Sequence, residues 1–257
     1  MEIYWLVHMS ALVLIYYNYL SSTAVIILTA GYLTQLQLRR PSSKTATTKN
    51  ESWIMWLMAS SLVTNLARIV TLMIAAHHAT ISHAKFSSRK PPHAETMIRN
   101  TCPVPEYLDE KMFTLSPQVL ASLALLCAGS YIRSRAFTQL GNNFTYRLTK
   151  PDHLVTDGLY AYVRHPSYTG LLAVLFAKYS LFSRQRGVFS CWAPLVDERL
   201  VIDDRIGYLA SAIVFAILVW MFMVKRVEAE ETMMEKEFGQ SWREYCKGTK
   251  KFIPFVY

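Results

Sequence analysis

Two short stretches of this 257-residue chain contain residue types that catalytic and binding sites use, and both adjoin apolar segments. The first runs from residue 158 to 170 and places Arg164 and His165 directly before Pro166. Proline fixes its own φ and disfavours helix at the preceding residue, so we expect a helix to begin at or just after Pro166. The N-terminus of a helix presents unpaired N–H groups and partial positive charge, which suit an anionic group of a ligand.

The second stretch lies near the C-terminal end and contains Arg226, Glu228, Glu230 and Glu231. If it is helical, Glu230 lies one turn after Arg226 on the same face, whereas Glu228 and Glu231 face another way. A guanidinium is always protonated and forked, which suits it to holding a carboxylate. Both stretches also admit a simpler interpretation, in which their basic residues are positive-inside flanks that anchor membrane helices.

Together and in this order, the two stretches resemble the motifs of the isoprenylcysteine carboxyl methyltransferase family. The matching residues are Gly158, Tyr160, Arg164, His165, Pro166, Tyr168 and Gly170 in the first stretch, then Arg226, Glu230, Glu231, Phe238, Gly239, Trp242 and Tyr245. The resemblance covers about residues 137–257, and before residue 115 only general membrane signals are present. It implies an S-adenosylmethionine-dependent enzyme, without a metal, that methylates the C-terminal carboxylate of a prenylated cysteine in CaaX-processed proteins.

The resemblance also implies a role for individual residues. Arg226 is expected to hold the substrate carboxylate, which is already ionised near neutral pH and needs no general base. Glu230 is expected to accept hydrogen bonds from the ammonium or ribose hydroxyls of the cofactor. Glu231 is expected to support Arg164 or His165, and Glu228 to be solvated.

The first stretch and the residues just before it are expected to supply most of the cofactor contacts. These residues are Leu154, Val155, Tyr160, His165, Pro166, Ser167 and Tyr168. Leu154 and Val155 would contribute backbone groups and a wall for the adenine. Tyr160 and Tyr168 would enclose the sulfonium, because aromatic faces attract cations.

The composition of the chain favours a single integral membrane domain of the all-α class. It is 52% hydrophobic and only 18% charged, with a mean hydropathy of +0.18. The formal net charge of +9 could suggest a nucleic-acid partner. However, the Lys and Arg residues lie at the ends of apolar segments, as positive-inside flanks do, which indicates membrane lipids rather than nucleic acid.

The apolar segments predict a bundle of about five to six transmembrane helices, with a cytosolic cofactor pocket formed by the C-terminal half. They cover residues 3–38, 53–76, 116–136, 167–182 and 207–224, and residues 3–38 form either one long tilted helix or a hairpin of two. A charged amphipathic tail should follow from Lys225. We divide the chain into N-terminal helices with a polar loop (1–115) and a catalytic membrane domain (116–257), in a multi-pass protein of the endoplasmic reticulum with its active site facing the cytosol.

The polar residues outside the two stretches give weaker signals. Arg68, inside the segment 53–76, faces the bundle interior or extends to the nearer interface. Residues 77–115 are expected to form a polar loop whose four histidines have no metal-site spacing. The cysteines Cys102, Cys127, Cys191 and Cys246 are expected to be free thiols.

Two other functions fit part of the pattern. One is a related membrane methyltransferase that acts on phospholipid amines, although Arg226 would repel a cationic amine. The other is a non-catalytic membrane scaffold of the same fold. A prenyl substrate accounts best for the membrane segments, because removing a C15 or C20 chain from lipid costs on the order of ten kcal/mol at about 0.8 kcal/mol per CH₂.

Overall fold

The computed structural model describes residues 22–37, 60–87, 90–143, 150–183, 186–192 and 204–253. Over these residues the prediction of an all-α fold is confirmed, since the regular structure is helical apart from one isolated parallel bridge between Val163 and Lys250. The α-helices are α1 (Ser22–Gln37), α2 (Ser61–Phe86), α3 (Ala94–Thr101), α4 (Glu110–Phe113), α5 (Pro117–Leu140), α6 (Pro166–Phe182), α7 (Asp204–Phe238) and α8 (Gln240–Gly248). Short 3₁₀ turns occupy Pro105–Tyr107, Gly141–Asn143, Gly158–Ala161 and Val188–Cys191.

Three candidate membrane spans are found among the described residues by length and composition. They are Ser61–Phe86, Glu110–Leu140 and Leu209–Phe238. Helix α6 has 17 residues, which at a rise of 1.5 Å each is about 25 Å, less than the roughly 30 Å of a hydrocarbon core. The structure therefore agrees with a membrane protein but does not confirm five to six spans. Residues 3–21, on which the hairpin alternative depends, lie outside the described residues.

The boundaries of the later helices follow from local sequence signals. Helix α6 begins at Pro166, as predicted. Helix α5 begins at Pro117, and the Ser116 hydroxyl accepts a hydrogen bond from the Val119 amide at 3.3 Å, as an N-cap residue does. The amphipathic tail predicted from Lys225 begins as a direct continuation of α7, which runs without interruption to Phe238. Good helix formers such as Glu, Met, Lys and Ala fill residues 225–238.

The described residues divide into two compact units, each made from three stretches of chain. The first unit takes described residues from 22–33, 69–124 and 177–210. Within it α1 and α2 approach closely at Gly31, where an added Cβ would lie 2.6 Å from the Cβ of Ala75. Small residues of this kind let the backbones of membrane helices pack together. The main buried cluster of this unit contains Ala24, Ile27, Ala75, Ala79, Val119, Leu181 and Phe182.

The prediction that residues 77–115 form a loop is wrong at its start, because α2 extends to Phe86. Polar side chains in this last part of α2 find backbone partners on the short helix α4. The Nε2 of His78 lies 3.0 Å from the carbonyl oxygen of Met112, and the Ser82 hydroxyl donates to the carbonyl of Phe113 at 2.6 Å. Within the described part of the chain, no three His, Cys, Asp or Glu side chains are grouped so that they could hold a metal ion.

The prediction that all four cysteines are free thiols is also wrong. Cys102 and Cys191, which are 89 residues apart in sequence, form a disulfide. Both are fully buried, in a cluster with Ile81, Leu108, Met112, Phe113 and Val188. Cys127 and Cys246 are free. These two cysteines can pair because the fold brings distant segments of the chain together. Their spacing in the sequence does not indicate the disulfide.

The second unit takes described residues from 60–68, 125–176 and 211–253. Within it α5 and α6 approach at two glycines. An added Cβ would lie 2.8 Å from the carbonyl oxygen of Gly170 if placed at Gly129, and 2.6 Å from that of Gly129 if placed at Gly170. This close approach lets the buried Arg133 of α5 donate from Nη1 to the carbonyl of Ser167 at 2.9 Å, in the first turn of α6.

Candidate functional site

A pocket in the second unit is lined by residues from both of the sequence stretches. It encloses about 780 Å³, including open solvent at its mouth. Its lining residues are Leu140, Asn143, Pro151, His153, Leu154, Val155, Tyr160, Arg164, His165, Ser167, Tyr168, Arg226, Glu230, Met233, Met234, Trp242 and Tyr245. The wall is thus mostly apolar and aromatic, with a few charged groups.

Most of the residues predicted for the site lie on this wall. Pro166 and Glu231 are absent from the lining: Pro166 begins α6, and Glu231 contacts Arg164 and His165. Sequence reasoning did not assign Leu140, Asn143, Pro151, His153, Met233, Met234, Trp242 or Tyr245 to the pocket. A helical pattern could have found four of them, because Met233 and Met234 follow Glu230 by three and four residues, and Trp242 and Tyr245 are three apart on α8.

A chain of hydrogen bonds joins the two charged residues of α7 that line the pocket. Arg226 donates from Nε to the hydroxyl oxygen of Tyr168 at 3.1 Å. The same hydroxyl donates to Glu230 Oε2 at 2.8 Å. Arg226 is only 8% exposed, whereas its neighbour Lys225 is exposed. A simple positive-inside anchor would be expected to point outward as Lys225 does, so burial of Arg226 favours a binding role.

Glu231 lies at the centre of an ion cluster next to the pocket. Its Oε1 lies 3.0 Å from Arg164 Nε and 3.3 Å from His165 Nε2, and its Oε2 lies 3.0 Å from Lys251 Nζ. The expected support of Arg164 or His165 by Glu231 thus takes the form of contacts with both. Glu228 is exposed, in agreement with the expectation that it is solvated.

Residues 249–252, which we call the C-terminal strap, are bound along the first stretch by hydrogen bonds to their backbone carbonyl oxygens. Its four successive carbonyl oxygens accept from donors in residues 164–169. The bonds are Arg164 Nη1 to Thr249 at 2.7 Å, Arg164 N to Lys250 at 2.8 Å, His165 N to Lys251 at 3.0 Å and Thr169 Oγ1 to Phe252 at 2.8 Å. The Arg164 side chain therefore joins Glu231 to the strap, and much of its hydrogen-bonding capacity is used within the protein.

Two tyrosines on the pocket wall are held as neutral hydrogen-bond donors. Burial raises the pKa of Tyr160 well above its usual value, and burial raises the pKa of Tyr245 to about 12. The Tyr245 hydroxyl donates to the carbonyl of Tyr160 at 2.6 Å, and the ring of Tyr245 lies 5.6 Å from that of Trp242. Helix α8 is thereby fixed to the first stretch, and its aromatic residues complete a wall whose faces would attract a cation.

Comparisons with a family model and with curated relatives point to the same protein family. Residues 122–207 match the family model described as the isoprenylcysteine carboxyl methyltransferase family. The chain is 33% identical over 148 residues to a protein-S-isoprenylcysteine O-methyltransferase of Schizosaccharomyces pombe, covering 56% of this chain and 52% of that protein. It is 30% identical over 138 residues to protein-S-isoprenylcysteine O-methyltransferase B of Arabidopsis thaliana, covering 52% and 58%. The chain therefore matches about half the length of these curated relatives.

A solved structure of a eukaryotic intramembrane Ras methyltransferase, itself an isoprenylcysteine carboxyl methyltransferase, also aligns with this chain. The alignment covers 99% of this chain and 84% of the other, at 17% identity and a TM-score of 0.45. The family model covers the first stretch and the pocket residues from Leu140 to Tyr168, and several of the relatives carry the same name. The family model and these relatives confirm the resemblance of this chain to the isoprenylcysteine carboxyl methyltransferase family.

Proposed function

We propose that this chain is a protein-S-isoprenylcysteine carboxyl O-methyltransferase, which transfers a methyl group from S-adenosylmethionine to the C-terminal carboxylate of a prenylated cysteine. The observation that carries the proposal is the hydrogen-bonded chain from the buried Arg226 through Tyr168 to the partly exposed Glu230 on the pocket wall. The Arg226 cation, which suits the substrate carboxylate, lies in this chain beside the Glu230 anion, which suits the ammonium or ribose hydroxyls of the cofactor. The relatives named for this activity support the proposal. The catalytic part would correspond to residues 116–257.

Arg226 would bind the substrate carboxylate. Its guanidinium is almost fully buried, and a buried cation is stabilised when an anion binds beside it. The bond from Nε to the Tyr168 hydroxyl fixes the plane of the guanidinium. A planar donor held in one orientation positions a carboxylate more closely than a flexible ammonium does. The contribution of this residue is therefore to hold and orient the reacting group, not to remove a proton from it.

The residues of the pocket fit S-adenosylmethionine, which supplies a methyl group on a sulfonium. Glu230 is an acceptor for the ammonium or ribose hydroxyls, and its side chain is 30% exposed towards the pocket. Tyr160 and Tyr168 are aromatic neighbours suited to a sulfonium. Leu154, Val155, His165, Pro166 and Ser167 would form the rest of the cofactor site. Pro166 would act through the start of α6 rather than through the wall itself.

Enzyme assays on membranes from cells that express the chain test the proposal. Membranes receive S-adenosylmethionine with a labelled methyl group and one of three acceptors: a farnesylcysteine analogue, phosphatidylethanolamine or none. We expect methyl ester to form on the farnesylcysteine analogue only, at a rate above that of membranes without the chain. Methylation of phosphatidylethanolamine instead would favour the lipid-amine alternative. No methylation of either acceptor by folded protein would favour a scaffold.

Replacement of Tyr168 by phenylalanine should weaken both binding steps at once. The change removes the acceptor for Arg226 and the donor to Glu230 while the ring remains. We expect the KM values for the prenylcysteine and for S-adenosylmethionine each to rise roughly tenfold, as the loss of a hydrogen bond to a charged group predicts. Tyr162→Phe is the matched control, because that side chain is exposed. A rise in only one KM would contradict the view that the hydroxyl connects the two sites.

The proposed location is the endoplasmic reticulum membrane, with the pocket facing the cytosol. Disulfides persist in oxidising compartments such as the lumen of the endoplasmic reticulum and are rare in the cytosol. The Cys102–Cys191 disulfide therefore supports a lumenal position for the loops that contain these two residues. The Lys and Arg residues near Pro166 and after Val224 support the opposite side for the pocket.

Single cysteines should react with a membrane-impermeant thiol reagent from opposite sides of the membrane. One is placed at Gly248, where an added Cβ meets open space, and one at Lys90, which is exposed. Both are made with Cys127 and Cys246 replaced by serine, so that the disulfide is kept. We expect Gly248→Cys to react once the plasma membrane is opened, and Lys90→Cys only after the endoplasmic reticulum membrane is also dissolved. Reaction of both at the first step would refute the proposed topology.

A further inference from the structure

Lys251 of the C-terminal strap contacts the pocket indirectly and has no role in the function proposed above. Its Nζ lies 3.0 Å from Glu231 Oε2, and its side chain is 31% exposed. The other oxygen of the same carboxylate, Oε1, is shared by Arg164 Nε and His165 Nε2. Lys251 is therefore the residue that holds the side of the carboxylate away from His165.

A carboxylate is planar, so two fixed oxygens determine its orientation, whereas one fixed oxygen leaves it free to rotate. With Lys251 in place, both oxygens of Glu231 have cationic or imidazole partners. Without Lys251, the Arg164 guanidinium would remain and could draw the carboxylate away from His165. The contact of Glu231 Oε1 with Arg164 Nε, at 3.0 Å, is shorter than its contact with His165 Nε2, at 3.3 Å, so the arginine should win this competition.

The orientation of His165 determines what its ring presents to the pocket. The ring is almost fully buried and lines the pocket wall. Its Nε2 faces Glu231, while its Nδ1 lies on the side of Glu230, at 4.0 Å from Oε1. Phe252 of the strap lies 6.1 Å from the ring, between centroids. The contact of Nε2 with Glu231 therefore also sets the direction in which Nδ1 faces.

We propose that Lys251 is a positioning residue of the cofactor site, which acts through Glu231 to hold the imidazole of His165 in the orientation that binds S-adenosylmethionine. The inference rests on the proposed function, because it assumes that this pocket takes that cofactor. It assigns the C-terminal strap to the site even though none of the strap residues lines the pocket. The charged and titratable groups that contact Glu231 include Arg164, His165 and Lys251, and Cys246 is also near it.

Calorimetric titration of the full chain in detergent with S-adenosylmethionine tests the inference without the need for turnover. We expect Lys251→Met to weaken the affinity about fivefold, a modest effect because the ion pair is partly exposed. Lys251→Arg should restore the affinity to within about twofold, since it keeps a cation beside Glu231. Lys247→Met removes the same charge from an exposed position on α8 and should bind normally. In the enzyme assay, the KM for the cofactor should rise while the KM for the prenylcysteine stays constant.

Each other result overturns a specific claim. Normal affinity in Lys251→Met, an equal loss in Lys247→Met, or no recovery in Lys251→Arg would show that Lys251 does not position the site. If Lys251→Met does not fold, Lys251→Gln replaces it, and normal affinity in that variant also overturns the inference. Wild-type protein that is folded but does not bind S-adenosylmethionine would refute the proposed function, and the inference with it.

Discussion

Replacement of Arg226 by lysine should reduce turnover on a prenylcysteine about a hundredfold, while the protein reaches the membrane in normal amount. Lysine keeps the positive charge but is a point charge on a flexible stem, so it cannot present two donors in one plane. It also cannot reproduce the bond from Arg226 Nε to the Tyr168 hydroxyl in the same geometry. A shift of about an ångström in the attacking oxygen can cost on the order of a hundredfold in rate.

The measurement for Arg226→Lys is the initial rate against prenylcysteine concentration, normalised to folded protein. Lys225→Arg is the matched control, because it changes the neighbouring exposed cation and leaves the pocket unaltered. Binding of S-adenosylmethionine should stay nearly normal in both variants, since the charge at residue 226 is kept. If turnover and KM of Arg226→Lys stay within about twofold, well below the 1.4 kcal/mol of a tenfold change, Arg226 serves only as an anchor.

Replacement of Glu230 by glutamine should weaken binding of S-adenosylmethionine about tenfold to a hundredfold. The change keeps the shape of the side chain and an acceptor for the Tyr168 hydroxyl, but it removes the negative charge from the pocket wall. The loss of a charge-assisted hydrogen bond to the cofactor costs roughly 1.5–3 kcal/mol. Binding of the prenyl substrate depends on Arg226 instead and should change little.

Calorimetry on detergent-purified protein measures the effect of Glu230→Gln directly. Glu228→Gln is the matched control, because it removes the same charge from the same helix at an exposed position. The control should bind S-adenosylmethionine with unchanged affinity. Equal affinities for Glu230→Gln and the wild type would remove Glu230 from the cofactor site and leave its contact with Tyr168 as a purely structural one.

Much of the pocket could be predicted from the sequence because local rules determine where its residues point. Pro166 fixes the start of α6, and the helical period places Arg226 and Glu230 on one face of α7. The structure brings both onto the pocket wall together with Tyr160 and Tyr168. The resemblance to a known family indicated which ligand group each of these residues would bind. Those roles remain predictions.

The features that sequence reasoning missed depend on contacts between distant segments. The disulfide joins cysteines 89 residues apart, and nothing in their spacing marks them as a pair. The end of α2 was predicted to be a loop because it is polar, but its His78 and Ser82 are paired with carbonyls of α4. Lys251 looks like any other basic residue of a C-terminal tail, and only the packing of the strap places it beside Glu231.

The continuity of α7 limits how the pocket can open. Arg226 and Glu230 lie on one unbroken helix, so the distance between them, about 6 Å along the axis, is fixed by the rise of the helix. The two binding groups therefore cannot separate when a ligand enters. Any adjustment to a ligand must therefore come from the other walls of the pocket, which are formed by residues 140–168 and by α8. The charged wall of the pocket therefore keeps its spacing in the free and the bound protein, and a ligand has to match that spacing.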